Sequence, residues 1–513
     1  MQTVDQRIEK LRELMEEKGI DIYYIPNEDD HLSEEYTADY FKCKSFISGF
    51  SGEAGCTIVT KDFAGLWTDG RYFTQAEHEL EGTCVTLMRL RQEGVVDPIP
   101  FLIDNTPENG CLGFDGKVVS SSDAIHLSKE LEKKNAKLHT TDDLVDTVWG
   151  KDRPSMPQEE IYILPKKYVG EDITERIQKV RDAMKEKGAD VLVLTKLEDP
   201  CWMLNIRGND IESTPVSYAF AVVTENEVVY YVDKAKVTDE VEKYFIEAKV
   251  TLKGYNDIEK DLEDLKDKKI WVNLRSFNTS FYSHLDSSNQ IINEDSPVVL
   301  FRAIKNETEL TNTINAHIKD GVAMVRFLYW LKHNIQTVPM TERSAEDKLL
   351  SFREEQEGFI EPSFHTISAY KGNAAMMHYT ANDETNAELH PEGFLLVDSG
   401  GTYFDGTTDI TRTIALGKLS DEEKMYFTKV LKANTTTNII LDSLVLSEQV
   451  SNDTHAVDYS GIIYQITFNL ESCKATTEGA QSTFGKTAAI SGNNVTWSDY
   501  KGNSNQQKSG EDF

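Results

Sequence analysis

An internal repeat constrains this chain more than any other feature of its sequence. Arg7-Ile-Glu-Lys-Leu-Arg12 returns 169 positions later as Arg176-Ile-Gln-Lys-Val-Arg181, Met15 returns as Met184, and Lys18-Gly19 as Lys187-Gly188. In the first copy Val4, Ile8, Leu11 and Met15 share one helical face, Thr3 and Gln6 form a capping box, and Gly19 is a stop signal. A strand is expected over 20–25. Two copies of helix, glycine and strand predict two similar α/β domains in tandem, over 1–160 and 171–300. Pro154, Pro157 and Pro165 punctuate the join.

With 513 residues, 39% of them hydrophobic and 27% charged, the chain has material for several cores, which excludes a small disulfide scaffold and a disordered tail. A formal charge of -33 repels phosphate backbones and anionic lipid, so no nucleic acid and no membrane surface is expected as partner. The same field suits a cationic ligand such as a free peptide amine. The six cysteines, at 43, 56, 84, 111, 201 and 473, form no C-x-x-C pair and read as reduced core thiols. No run approaches the roughly 20 apolar residues of a membrane span, and the chain opens on a charged amphipathic segment, so the expected location is cytoplasmic.

Leu66–Phe73 reads as two strands about an Asp69-Gly70 turn, because that dipeptide tolerates positive φ. Gly49, Gly52 and Gly55 have G-x-x-G-x-x-G spacing, without a dinucleotide pattern, and are read as turn glycines. A third domain is expected over 301–432. Asn306 with Glu309 caps a long helix whose apolar face holds Ile314, Ile318, Val322, Val325, Leu328 and Tyr329. A second helix is expected over 344–356, then strands over 364–369, 393–398 and from 403 to 416. From 433 to 513 a polar tail rich in Ser, Thr, Asn, Gln and Gly follows, with no Arg and no Pro, and with strand-like stretches at 461–472 and 494–500.

The richest chemistry lies between Phe394 and Thr413. An apolar strand ending at Asp398, a Gly400-Gly401 turn and a return strand after Asp409 would bring two carboxylates together, since paired strands lie roughly 5 Å apart. Like charges at that distance call for a hard divalent cation such as Mn²⁺. The alternative is a water-facing Asp-rich hairpin in which these residues cap turns. Asp398-Ser399-Gly400-Gly401 also has the look of a serine-protease nucleophile loop, but Val397 and Thr402 replace the flanking Gly and Pro, and no upstream histidine sits in a general-base motif.

These residues carry a family resemblance. Leu396-Val-Asp398-Ser-Gly and Asp405-Gly-Thr-Thr-Asp409-Ile-Thr-Arg-Thr413, preceded by Pro362-Ser-Phe-His-Thr-Ile367 and Met377-His378-Tyr379, resemble the metallo-domain of three-domain Xaa-Pro aminopeptidases, the aminopeptidase P family. Trp67-Thr-Asp-Gly-Arg-Tyr-Phe73, Asn205-Ile-Arg-Gly-Asn-Asp210 and Ala316-His-Ile-Lys-Asp320 are similar to the same family, so the match runs from the N-terminus to about 432. The resemblance implies an α/β and α+β multidomain chain: two creatinase-like domains followed by a "pita-bread" metallopeptidase domain. It also implies two metal ions, usually Mn²⁺, release of the N-terminal residue from peptides with proline second, and a homodimer. Asp398 would bind one ion and Asp409 would bridge both, while His378 would line the substrate pocket beside the scissile carbonyl. In that chemistry a hydroxide held between the metals is the nucleophile.

The resemblance ends before the family's metal centre is complete. A histidine in a G-T-G-H-G loop, a catalytic histidine just after it and two later glutamates have no matching motif. His455 is the only histidine beyond Asp409, and Glu471, Glu478 and Glu511 lack the expected surroundings. Two carboxylates leave each ion mostly hydrated, so an incomplete domain and an inactive chain are expected. A reading-frame disruption or chimeric join accounts for the tail; a pseudo-enzyme acting as a binding or scaffolding module and an appended β unit are the rivals. His317 and His365 receive no role.

Overall fold

A computed structural model of the chain describes residues 2–33 and 35–439 and, beyond these, the backbone of short strands between Gln449 and Ser509; side chains are described as far as residue 432. The helix signals act where they stand. The Thr3 hydroxyl accepts the Gln6 N–H at 3.3 Å, and the Gln6 side chain takes the Thr3 N–H at 3.0 Å. The helix Val4–Lys18 then ends at Gly19, at φ 67°, a conformation that a Cβ would disfavour. In the second copy Asp172 and Glu175 cap the helix Ile173–Lys187, and Gly188 closes it at φ 72°.

Each of these helices leads into a six-stranded sheet, and the two sheets have one topology. The first runs Thr86–Arg89, Ala64–Thr68, Cys56–Thr60, Ile22–Pro26, Cys111–Gly113, Lys137–His139. The second runs Val250–Lys253, Val228–Val232, Ala219–Thr224, Val191–Leu194, Lys269–Trp271, Gln290–Ile292. In both, the second and third of the five pairings in that order are antiparallel and the other three parallel. The repeated sequence is a repeated fold, with apolar clusters on both faces of each sheet. Ile8 and Leu11 are fully buried against the first sheet, worth about 1.5–3 kcal/mol each in apolar burial.

The structure corrects the hairpin expected at 66–73. Ala64–Thr68 is a strand, but Phe73–Glu79 is a helix. The Asp69 carboxylate accepts the Arg71 N–H at 3.0 Å and binds the Arg71 guanidinium through both oxygens, so the Asp-Gly step turns into a helix start instead of a second strand. Among the thiols, Cys56, Cys111 and Cys201 are buried as expected and Cys43 is half-buried, whereas Cys84 is exposed; Cys473 lies outside the described residues. No helix among the described residues is long and apolar enough to cross a membrane.

Residues 29–31 bind the first sheet domain to the second. His31 Nδ1 donates to the Thr195 carbonyl at 2.6 Å, and its ring stacks on Phe220 with centroids 3.9 Å apart. The Tyr255 hydroxyl lies 2.8 Å from His31 Nε2 and 2.7 Å from Asp30 Oδ2, and Tyr218 donates to Asp29 Oδ2 at 2.8 Å. One Tyr255 proton cannot serve both acceptors, which favours a proton on Asp30. Burial, reinforced by the Asp29 charge, pushes Asp30 up to about 7; burial carries Asp29 to about 6, and burial with the Lys236 charge carries His31 down to about 3. The carboxyl contributions to stability are thus complete below their ordinary 3.8 and lost as pH rises through about 6 to 7. The His31 contribution is complete above 6.5 and lost toward about 3. Asp30→Asn is expected to flatten the fall in unfolding free energy between about pH 4 and 7, by about 1–3 kcal/mol. Urea unfolding across that range checks it; curves that stay parallel for the two proteins would remove the assignment.

The third part starts at the helix Glu307–Asn334, capped by Asn306 and Glu309 as expected. Its buried face differs from the expected one. Ala316, Asp320, Ala323, Met324, Phe327 and Leu331 face inward, while Ile314, Ile318, Val322, Val325 and Tyr329 are exposed and Leu328 is only half-buried. Both faces carry apolar residues at helical spacing, and the inward one is selected by small alanines and by Asp320, which pairs with Arg353. Ile318→Ala is therefore expected to change unfolding free energy by no more than about 0.5 kcal/mol, against the 2–5 kcal/mol of a core isoleucine. A denaturant midpoint distinguishes the two.

After the helix Glu342–Glu354, the strands Ile367–Tyr370, Phe394–Ser399 and Ile410–Ala415 form an antiparallel sheet with Phe394–Ser399 at its centre. Phe359–Pro362, Gly401–Tyr403 and Gly406–Thr407 form a second one. Met1–Leu416 is one compact unit and Gly417–Phe513 another. In the latter, Asp421–Ile439 is helical and Asn494–Asp499 and Ile466–Asn469 are strands, within stretches read as strand-like. His455, Glu471, Glu478 and Glu511 lie outside the described residues.

Candidate metal and substrate site

Strand alternation decides where the two aspartates sit. Along Phe394–Ser399, Leu395, Val397 and Ser399 are buried, while Phe394, Leu396 and Asp398 occupy the other, half-buried face. Asp398 lies opposite Thr411 in the neighbouring strand, and its Oδ1 accepts the Thr411 hydroxyl at 2.6 Å. Asp409 is exposed and stands one residue before the strand Ile410–Ala415; continuing that strand's period of two back from Thr411 would put it on the Asp398 face. Partial burial and the charge of Asp398 push the Asp409 carboxyl above the usual carboxylate range, so the two groups feel each other.

The Gly-Gly turn sets this placement. A Cβ on Gly400 would stand 2.0 Å from the Thr408 carbonyl oxygen and 2.1 Å from Ser363 Oγ, so only glycine fits. The Ser363 hydroxyl donates to the Thr408 carbonyl at 2.8 Å, and the Thr408 hydroxyl accepts the Gly401 N–H at 2.9 Å, fixing the residue before Asp409. Behind the strand, buried Arg353 donates through Nε to Asp320 Oδ1 at 2.7 Å and through Nη2 to Ser399 Oγ at 3.1 Å. Tyr403 adds its hydroxyl to Asp320 at 2.9 Å. Asp405, by contrast, is taken by Lys319 at 2.6 Å.

His378 is exposed on a loop whose base is held by buried Glu342. That carboxylate accepts the Tyr370 N–H at 2.6 Å, the Tyr379 hydroxyl at 2.7 Å and the Ala387 N–H at 2.9 Å. The imidazole bonds through Nδ1 to the Tyr72 hydroxyl of the first domain, at 2.8 Å. Among the described residues, neither aspartate bonds to it. His317 bonds the Thr313 carbonyl of its own helix and His365 lies 3.6 Å from Glu212, both on the surface. Sequence reasoning missed Tyr72 and Glu342 as parts of the site. Tyr72 stood inside a quoted motif, but nothing local indicated that it reaches residue 378.

The residues present only partly fit a metallopeptidase centre. Oxygen donors from Asp398 and Asp409 suit a hard divalent ion, yet among the described residues no group of three or more His, Cys, Asp or Glu side chains is placed to hold one.

Comparison with known proteins shows the family. Residues 7–148 and 152–309 each match the creatinase/prolidase N-terminal domain, and 312–442 match metallopeptidase family M24. The probable Xaa-Pro aminopeptidase P of Laccaria bicolor is 38% identical over 460 residues, covering 85% of this chain and 70% of that protein. Aminopeptidase P1 of Arabidopsis thaliana is 37% identical over 478 residues, covering 83% and 73%. The chain belongs to the aminopeptidase P family. The fold of the X-prolyl aminopeptidase from Caenorhabditis elegans, described as a cytosolic enzyme with a di-nuclear active site, superposes with a TM-score of 0.82 at 24% identity, over 99% of this chain and 91% of that one. The family architecture of two creatinase-like domains and an M24 pita-bread domain accordingly holds for this chain.

Proposed function

We propose that this member of the aminopeptidase P family carries half of a dinuclear site for Xaa-Pro peptides and does not turn them over. Asp398 and Asp409 would supply carboxylate oxygens to divalent ions, Mn²⁺ in this reading, which would activate water as nucleophile, and His378 would line the pocket for a peptide with proline in second position. What supports the reading is that the Asp409 carboxyl stands near enough to Asp398 for that charge to raise it, with no group of three or more His, Cys, Asp or Glu placed to hold a metal among the described residues. The later motifs that would supply the rest are missing from the sequence. The division into 1–160, 171–300, 301–432 and a tail over 433–513, a cytoplasmic location and a homodimer belong to the same proposal. Incubation with an Xaa-Pro tripeptide and excess Mn²⁺ tests it: the free N-terminal residue should stay at the level of a metal-only blank, and robust turnover overturns the reading. Peptide binding without turnover would mark a binding module.

A further inference from the structure

We infer that Tyr72 is the positioning residue for His378, its hydroxyl donating to Nδ1 and so holding the imidazole as the tautomer with hydrogen on Nε2. The inference rests on the reading of His378 as a pocket residue, but its geometry is independent of the metal ligands. The two rings meet edge to face with centroids 5.2 Å apart, and the Oη–Nδ1 distance is 2.8 Å. What aims the hydroxyl is the packing beneath it. Tyr72 is 2% exposed, meets Phe50 edge-on at 5.9 Å, and lies under the Arg71 guanidinium at 5.4 Å. Gly52 leaves room for both rings, since a Cβ there would stand 2.3 Å from Phe50 and 2.7 Å from Tyr72.

The direction of the bond follows from the chemistry of the pair. A neutral imidazole nitrogen is a better acceptor than a phenol oxygen and the phenol carries a single proton to give, so the hydroxyl that lies 2.8 Å from Nδ1 is the donor. Burial, followed by the Glu53 charge, pushes the Tyr72 phenol up to about 12, which keeps that proton in place at neutral pH. With Nδ1 occupied as an acceptor, the neutral ring carries its hydrogen on Nε2 and presents a donor where a polarised carbonyl would sit. The Trp67–Phe73 motif thereby has a task that its own domain does not explain: it reaches the third domain and sets a proton there.

The test is ¹⁵N–¹H NMR of the full chain labelled at histidine, with the His378 signal identified by its loss in His378→Gln. In the unsubstituted chain at pH 8 that signal should report the Nε2–H tautomer in large excess. Tyr72→Phe keeps the ring and its packing, and the tautomer ratio at His378 should fall about tenfold while the other histidine signals stay in place. An unchanged ratio in Tyr72→Phe, or an Nδ1–H tautomer in the unsubstituted chain, overturns the inference. If the variant fails to fold, Tyr72→Trp in its place is read the same way, and an Nδ1–H tautomer in the unsubstituted chain overturns the inference by itself. Because no turnover is read, failure here leaves the proposed function standing, and turnover in the peptide assay leaves this result standing.

Discussion

Excess Mn²⁺ is expected to leave hydrolysis of an Xaa-Pro tripeptide by this chain at the blank, at least about 10⁴-fold below an intact member of the family. Two independent deficits combine. Hard divalent ions take six or so oxygen or nitrogen donors, and two carboxylates leave most of that shell to water, so occupancy and ion placement both weaken. The histidines that would move protons around the reacting carbonyl are also missing from the expected motifs, a loss of roughly 10²–10⁴-fold for general acid–base chemistry alone. Added metal repairs occupancy but not proton transfer. A chain that reached even a hundredth of a relative's rate would show that residues beyond 432 supply the ligands through a pattern unlike the family's.

Asp320→Ala is expected to cost about 3–5 kcal/mol of stability and with it the order of the aspartate-bearing strand. Arg353 and Asp320 are 1% and 3% exposed at the side chain, so alanine at 320 leaves a guanidinium charged, buried and without its counter-ion. The same change orphans the Tyr403 hydroxyl, and Arg353, which bonds Ser399 next to Asp398, loses its anchor. Replacing both partners, as in Asp320→Leu with Arg353→Met, removes the unpaired charge and should recover most of the loss. Urea unfolding of the two variants checks this. A single variant costing under about 1 kcal/mol would mean that water reaches Arg353 and that the pair is incidental.

The tandem domains were legible because their signals are local. A capping box, an apolar face and a left-handed glycine act around one 15-residue helix, and the repeat carries them twice, at Thr3–Gly19 and Asp172–Gly188. The strand that carries Asp398 was legible for a similar reason: alternation along Phe394–Ser399 needs no knowledge of distant chain. The long helix was misread because it is apolar on two sides, and periodicity alone ranks the unbroken Ile314–Val325 stripe above a face interrupted by Asp320. That choice depends on Arg353, which the sequence does not place. Tyr72 with His378, and Asp29–His31 with Tyr218 and Tyr255, pair residues more than 180 positions apart. No local rule reports such contacts, and these are where the structure adds most to the site and to the domain contact.

Titration of Mn²⁺ into the full chain, with Asp398→Ala and Asp409→Ala alongside, bears most directly on the shared aspartate face. Weak binding that disappears in both variants, with the fold intact by circular dichroism, is the predicted result. Binding that persists unchanged when either aspartate is removed would contradict it.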